Sequence, residues 1–388
     1  MNLREVLTRI HGWIPPETAQ PYDNVGLQVG DPEAPVTKAL VALDMTPQVL
    51  DEAVETGSNL IVTHHPLLFD GLKRVDAGEF IGSLVHRLAA NSINLVAAHT
   101  NLDAAQNGVS AKLAELLRIE NPKFLKPLQS DLVKLVTYVP VDHAESVRTA
   151  ITGATDQTIG PYRDVAFQSS GEGFFKPLEG ANPFIGSPGG DIERVEEKRL
   201  EITLTSQNLA AAITALKTTH PYQTAAYDVF SMDLPSDEFG MGMIGDIANP
   251  VSLSSFLERI CLALDLEVAR YTGDPEALIS RVAVCGGAGR DLIATAIEAG
   301  ADAFVTADLS YHSFFEVLDT AGSPVMALID AGHYETEYGS EALLAEWLRT
   351  NIPEIEWSRT QQRTSPVRYH INRSRDHSSD NSGPGSNS

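Results

Sequence analysis

The chain reads as an α/β protein, with parallel-rich sheets flanked by helices and an inserted α+β domain. Two observations carry that reading. Short, nearly continuous apolar runs alternate with segments of helical periodicity in the first third of the chain and again after residue 240. Strands of that kind belong to a sheet covered on both faces. Between them the texture changes to alternating strands and a long Gly- and Pro-rich stretch. The expected organisation is a discontinuous α/β domain from residues 1–127 and 241–371, an insert at 128–240, and a disordered tail at 372–388.

The elements follow in order. Residues 38–44 (KALVALD) form an apolar strand ending in an acid, and Thr46 then has the place of a helix N-cap. Residues 59–63 (NLIVT) form a second strand running into His64 and His65. Residues 79–91 carry Ile81, Leu84, Val85 and Leu88 at helical spacing. Residues 93–98 (INLVAA) form a third strand that leads to His99 and Asp103, and residues 108–117 are helical. In the insert, residues 132–139, 199–205 and 225–232 read as strands and 209–218 as a helix. Residues 171–190 show little periodicity. After residue 240, helices are expected at 254–264, 291–299, 313–321 and from His333 to about Leu348, with strands at 282–285, 303–306 and 325–330. The tail is Ser, Asn, Gly and Asp with almost nothing apolar to bury.

Composition narrows the function. Lys and Arg number 28 against 52 Asp and Glu, a formal net charge of −24. That field repels phosphate backbones and attracts cations, so no nucleic-acid partner is expected. The two cysteines, Cys261 and Cys285, match no zinc or redox spacing and read as core thiols in a reducing compartment. No segment has the pattern of a signal peptide or approaches the roughly 18 apolar residues of a membrane helix. A cytoplasmic protein without membrane partners is expected.

Three strands each deliver metal-ligand residue types at their carboxyl ends: His64 and His65, then His99 and Asp103, then His333 and Glu337. The carboxyl edge of an open α/β sheet is where ligands bind, so segments distant in sequence are expected to meet along one edge. His333 and Glu337 stand one helical turn apart on one face. The side chains of His64 and His65 diverge, which suits two neighbouring ions better than one. A carboxylate can bridge such a pair, and imidazole with carboxylate suits zinc, iron or manganese. A capped turn at the histidine pair and a chance His-x-x-x-Glu spacing are the plain alternatives. His99 admits three readings: a partner to a ligand, a proton carrier, or a satisfied buried histidine. His312 admits the same three. The Gly286, Gly287 and Gly289 loop either presents N–H groups to phosphate or makes a tight turn. Residues 23–30 (DNVGLQVG) either line a pocket or cap a helix. His11, His86, His143, His370 and His377 read as ordinary surface or core residues.

Six stretches, in order, are similar to a known family: DNVGLQVG, VTHHPLLF, AAHTNLDAAQNGV, VCGGAGRD, VTADLSYH and DAGHYETE. The sequence resembles the Nif-three-like family, also described as GTP cyclohydrolase I type 2 homologues. The resemblance implies a centre of two divalent metal ions, with His64, His65, Asp103, His333 and Glu337 at the ligand positions. It implies a toroidal homohexamer, a trimer of dimers, with the centres facing a cavity. GEGFFKP and HPYQTAAYD look like the PII/CutA-like insert of larger members, although Gln223 stands where Glu is usual. Two functions are expected to compete. One is a metal-dependent hydrolase acting on a nucleotide-like small molecule, with His99 as its catalytic proton carrier. The other is a non-enzymatic metal-handling or regulatory protein whose insert senses a small molecule.

Overall fold

The computed structural model describes residues 1–155, 158–159 and 161–370. The tail expected at 372–388 lies outside the described residues. The chain divides into two compact units, one from Met1–Leu128 together with the chain from Asp237 onward, the other Gln129–Ser236.

The first unit contains two sheets. In the five-stranded sheet the order is Gly26–Val29, Asn94–Ala97, Leu60–Thr63, Lys38–Ala42 and Glu356–Arg359. Its last four strands are parallel, with Val41 opposite Val62 and Val62 opposite Val96. Gly26–Val29 closes the edge antiparallel. All residues of Leu60–Thr63 and Asn94–Ala97 are buried, which explains their uninterrupted apolar runs. The six-stranded sheet runs Arg270–Tyr271, Ala327–Asp330, Ala303–Ala307, Leu278–Ala288, Pro235–Ser252 and Glu120–Gln129. Its centre is parallel, while Pro235–Ser252 and Arg270–Tyr271 pair antiparallel. Helix Val109–Leu116 joins two of the four buried clusters among the unit's described residues. Its Val109 packs with Val41, Val62 and Val96, and its Leu113 and Ala114 pack with Val282, Val284 and Val305. The expected cap at Thr46 is present, its side chain accepting from Val49 N.

Two sequence expectations are corrected. The strands leading to His64 and to Asp103 share one sheet, but the strand leading to His333 belongs to the other. The candidate residues therefore meet between two sheets rather than along one edge. Residues 313–321 do not form a helix. A short 3-10 turn at Tyr311–Phe315 is followed by a turn in which the Asp319 carboxylate accepts from Ala321 N and Ser323 N. An aspartate satisfying nearby backbone N–H groups competes with helix formation.

Apart from the short pair Thr158–Ile159 and Tyr162–Arg163, which forms a sheet of its own, the second unit has the order strand, helix, strand, strand, helix, strand. Strands Tyr227–Ser231, Leu132–Pro140, Glu193–Thr205 and Ala166–Phe175 lie side by side in that order, all antiparallel. This is the ferredoxin-like arrangement of a split βαβ. Helices Ala144–Thr155 and Leu209–Thr219 cover one face, where Val147, Ile151, Ala212 and Leu216 pack on Leu135, Leu200 and Ile202. The strand Ala166–Phe175 enters the stretch that looked aperiodic, because it is largely exposed and carries no burial alternation. Cys285 is buried and Cys261 half-buried, and neither is in a disulfide.

Candidate metal centre

The centre is built where strand ends run out. Leu60–Thr63 ends at Thr63, and the next residue, His64, is fully buried. Its Nδ1 donates to Ala98 O at 2.8 Å, which leaves Nε2 with a lone pair. That nitrogen has no hydrogen-bond partner. It faces Asp103 Oδ1 at 3.6 Å and Glu337 Oε1 at 3.8 Å, too far for hydrogen bonds. Asp103 ends the one-turn helix Thr100–Asp103, and its buried Oδ1 is also without a partner.

His65 follows in a bend rather than on extended backbone, and its ring lies beside that of His64, centroids 5.0 Å apart, so the expected divergence of the two side chains is not seen. Its Nδ1 donates to Asp44 Oδ1 at 2.7 Å. His333 opens the helix His333–Glu337, and its Nδ1 donates to Asp308 Oδ2 at 2.8 Å. The Nε2 atoms of His65 and His333 both face Glu337 Oε2, at 2.8 and 3.0 Å, and lie 3.2 Å from each other. The two oxygens of Glu337 thus serve two donor sets. His64, Asp103 and Glu337 form one; His65, His333 and Glu337 form the other, and His64, His65 and His99 make a third group without Glu337. In each set the ligand atoms lie within 4.8 Å of one another, close enough to hold a metal ion.

The electrostatics describe a site made for positive charge. Burial favours the neutral form of His65, but hydrogen bonds to Asp44 and Glu337 outweigh it and raise its pKa to about 10. In His333 burial is likewise outweighed by Glu337 and Asp308, and the pKa rises to about 9. Burial lifts Asp103 to about 6, with His64 opposing and the Glu337 charge reinforcing. Glu337 is held well below the usual carboxylate range, its burial overcome by hydrogen bonds from the surrounding histidines. Two buried carboxylates, a buried lone-pair nitrogen and an unpaired carboxylate oxygen fit a cation, which would relieve every one of them.

Other residues fall into place around this pair of sets. His99 stands beside it, with ring centroids 5.3 and 5.5 Å from His64 and His65. Its Nδ1 donates to Asp23 Oδ1 at 2.8 Å. Asp23 also accepts from Thr100 N at 3.0 Å, so the DNVGLQVG loop lines the site. Gly287 must be glycine, because its φ is +61° and a Cβ would run into the Glu337 carboxylate. The N–H groups of Gly286, Gly287 and Gly289 are taken by Ser110, Thr336 and Thr306, which makes this loop a tight turn rather than a phosphate cradle. His312 is exposed, edge-on to Tyr311 and tilted against Phe315, and belongs to none of the donor groups. Asp44 and Asp308 were not singled out from the sequence as orienting groups. The available signal was their position, an acid ending an apolar strand and an acid just past Ala303–Ala307.

Histidines oriented by carboxylates around a shared glutamate, on an α/β scaffold, define a candidate metal-binding protein. The chain belongs to the Duf34/NIF3 (NGG1p interacting factor 3) family, whose model matches residues 1–366. Relatives named GTP cyclohydrolase 1 type 2 homolog include one from Mycobacterium leprae, 39% identical over 90% of this chain and 91% of its own. Another, from Bacillus subtilis, is 36% identical over 88% of this chain and 91% of its own. The crystal structure of a Bacillus cereus protein related to NIF3 matches with a TM-score of 0.77 at 34% identity, covering 95% of this chain and 99% of that one. A Staphylococcus aureus protein matches with a TM-score of 0.80 at 29% identity and the same coverage. Among the described residues no helix is long and apolar enough to cross a membrane.

Proposed function

We propose that the site holds two divalent ions, zinc, iron or manganese, and that the protein is a metal-dependent hydrolase acting on a nucleotide-like substrate. One observation carries this: Glu337 presents Oε1 and Oε2 to separate donor sets, one of which leaves His64 Nε2 and Asp103 Oδ1 unpaired. His64 and Asp103 would hold one ion and His65 and His333 the other, with Glu337 a ligand to both. Two ions so held polarise an electrophile and lower the pKa of water nearby. Asp44, Asp308 and the Ala98 carbonyl fix each imidazole with Nε2 turned inward. Asp23 holds His99 Nδ1, which leaves its Nε2 to take a proton from attacking water and return it to the leaving group. The name shared by the relatives supports a purine nucleotide such as GTP as the first substrate to try.

We further propose a cytoplasmic homohexamer, a trimer of dimers, without nucleic-acid or membrane partners. The exposed Phe69, Leu72, Val75 and Phe80, in the segment that follows His65, support self-association. The inserted unit, bounded near residues 128 and 240, is read as PII/CutA-like, supported by its strand order. A second reading, metal handling or regulation through the insert, is favoured by one observation: that unit has a cavity of its own.

Elemental analysis and activity decide between them. Protein purified with metal retained is expected to carry two ions per chain and to hydrolyse GTP or a member of a phosphoester panel. Asp103→Ala is expected to lose both metal and turnover. Equal background turnover in both proteins, with metal lost only from the variant, would leave the metal-handling reading standing.

A further inference from the structure

The inserted unit has a second chemical site, which shares no residue with the candidate metal donors. Its strand Glu193–Thr205 puts Leu200, Ile202 and Leu204 into the core beneath the helices. Side chains alternate along a strand, so Glu197 points to the opposite face. There it lines a cavity of about 610 Å³, within the size range of small-molecule sites.

Glu197 is only 7% exposed. Its carboxylate accepts one hydrogen bond, from Tyr222 Oη at 2.7 Å, and forms no ion pair among the described residues. Of the other charges near it, Glu172 pairs with Arg194, and Arg199, which also lines the cavity, turns to Glu201, where Lys134 binds as well. Glu197 is thus a buried carboxylate without a countercharge, a costly arrangement unless a cation arrives. The structure makes room for it, since a Cβ at Gly173 would run into the Glu197 carboxylate.

Rings surround the same space. Tyr222 lies with its centroid 5.4 Å from Phe175 and 6.4 Å from Phe184. The His220 turn fixes Tyr222: His220 Nε2 donates to Tyr138 O at 3.0 Å while its Nδ1 accepts from Tyr222 N at 3.1 Å. Gln223 Oε1 accepts from Asn182 N at 2.9 Å, which ties down the Gly- and Pro-rich loop. Aromatic faces attract cations, and their bodies accept apolar groups.

We propose that this cavity binds a small organic ammonium ion, its nitrogen against Glu197 and its apolar body among Phe175, Phe184 and Tyr222. An anionic nucleotide is the wrong charge for it. The inference deepens the regulatory reading of the insert and stands apart from the metal centre.

The test is calorimetric titration of the full chain with phenethylammonium and hexylammonium, against the neutral phenethyl alcohol and the anionic 3-phenylpropionate. At least one ammonium ion is expected to bind at least about tenfold more tightly than the neutral and anionic probes. Glu197→Gln, which can still accept from Tyr222, is expected to abolish that preference. Phe184→Ala, a change at a half-exposed ring that leaves folding intact, is expected to weaken both ammonium ions. Asp103→Ala is expected to leave amine binding unchanged, so failure here and failure of the metal centre are separately visible. Absence of binding by either ammonium ion, equal binding of the alcohol, or a preference that survives Glu197→Gln would overturn the proposal.

Discussion

Glu337 serves both donor sets with one side chain, so its replacement reaches further than that of any single histidine. Glu337→Gln is expected to lower bound metal from two ions per chain to fewer than one by elemental analysis, whereas His333→Ala should spare the set containing His64. The orienting acids have a smaller effect. Asp308→Asn is expected to weaken metal affinity by roughly 10- to 100-fold with the fold intact, read by competition with a chelator. Protons compete for the same atoms. With pKa values raised to about 10 and about 9, His65 and His333 hold protons at neutral pH in the metal-free chain. A cation must displace them, so loading at pH 7 releases protons and tightens as pH rises toward those values. Calorimetry in buffers of different ionisation enthalpy reads this release; a buffer-independent heat would contradict it. Glu341 supplies a stability signal of its own. Burial raises its pKa from 4.5 to about 7, although Leu43 N donates to it at 3.0 Å. The fold disfavours its charged form, so this contribution is most favourable below pH 4.5 and fades as pH rises through 7. Glu341→Gln is expected to flatten that slope, with a relative gain on the order of 2–3 kcal/mol at pH 8 in denaturant unfolding.

At the scale of elements, legibility followed burial. The runs NLIVT and INLVAA announced their strands because nearly every residue there is inside. Thr46 announced a helix start because an N-cap needs a side-chain acceptor there; Thr46→Ala is expected to cost about 1 kcal/mol in the same unfolding assay. Ala166–Phe175 was silent because its side chains face mostly solvent, so no period of two appears. The grouping of strands into two sheets was equally silent, since an apolar run does not reveal its neighbours. The sequence brought forward His64, His65, Asp103, His333 and Glu337 as residue types at strand ends. It did not bring forward Glu197 and Tyr222, whose relation depends on a cross-strand geometry that no local spacing encodes. Gly287 was noticed for its turn, but the reason for its small size lies across space. Gly287→Ala is expected to push the Glu337 carboxylate aside and reduce bound metal.

For the whole molecule, helix Val109–Leu116 joins two of the four buried clusters among the described residues of the first unit, and the candidate donors come from the segments that follow strands of both sheets. Bound ions stabilise any fold that alone holds them, by mass action. Stripping metal with a chelator is therefore expected to lower the Tm in differential scanning calorimetry, and readdition to restore it. An unchanged Tm would show that the donors do not hold ions in the native state. Sedimentation of the native protein reads the proposed hexamer directly.

The division of the donors between two sheets also fixes an order of events during synthesis. His64, His65 and Asp103 leave the ribosome long before His333 and Glu337, with the entire inserted unit translated in between. A nascent chain can offer an early cation only half a cradle, and a half cradle holds loosely. If the site holds ions as proposed, full coordination would wait until His333 and Glu337 have been translated.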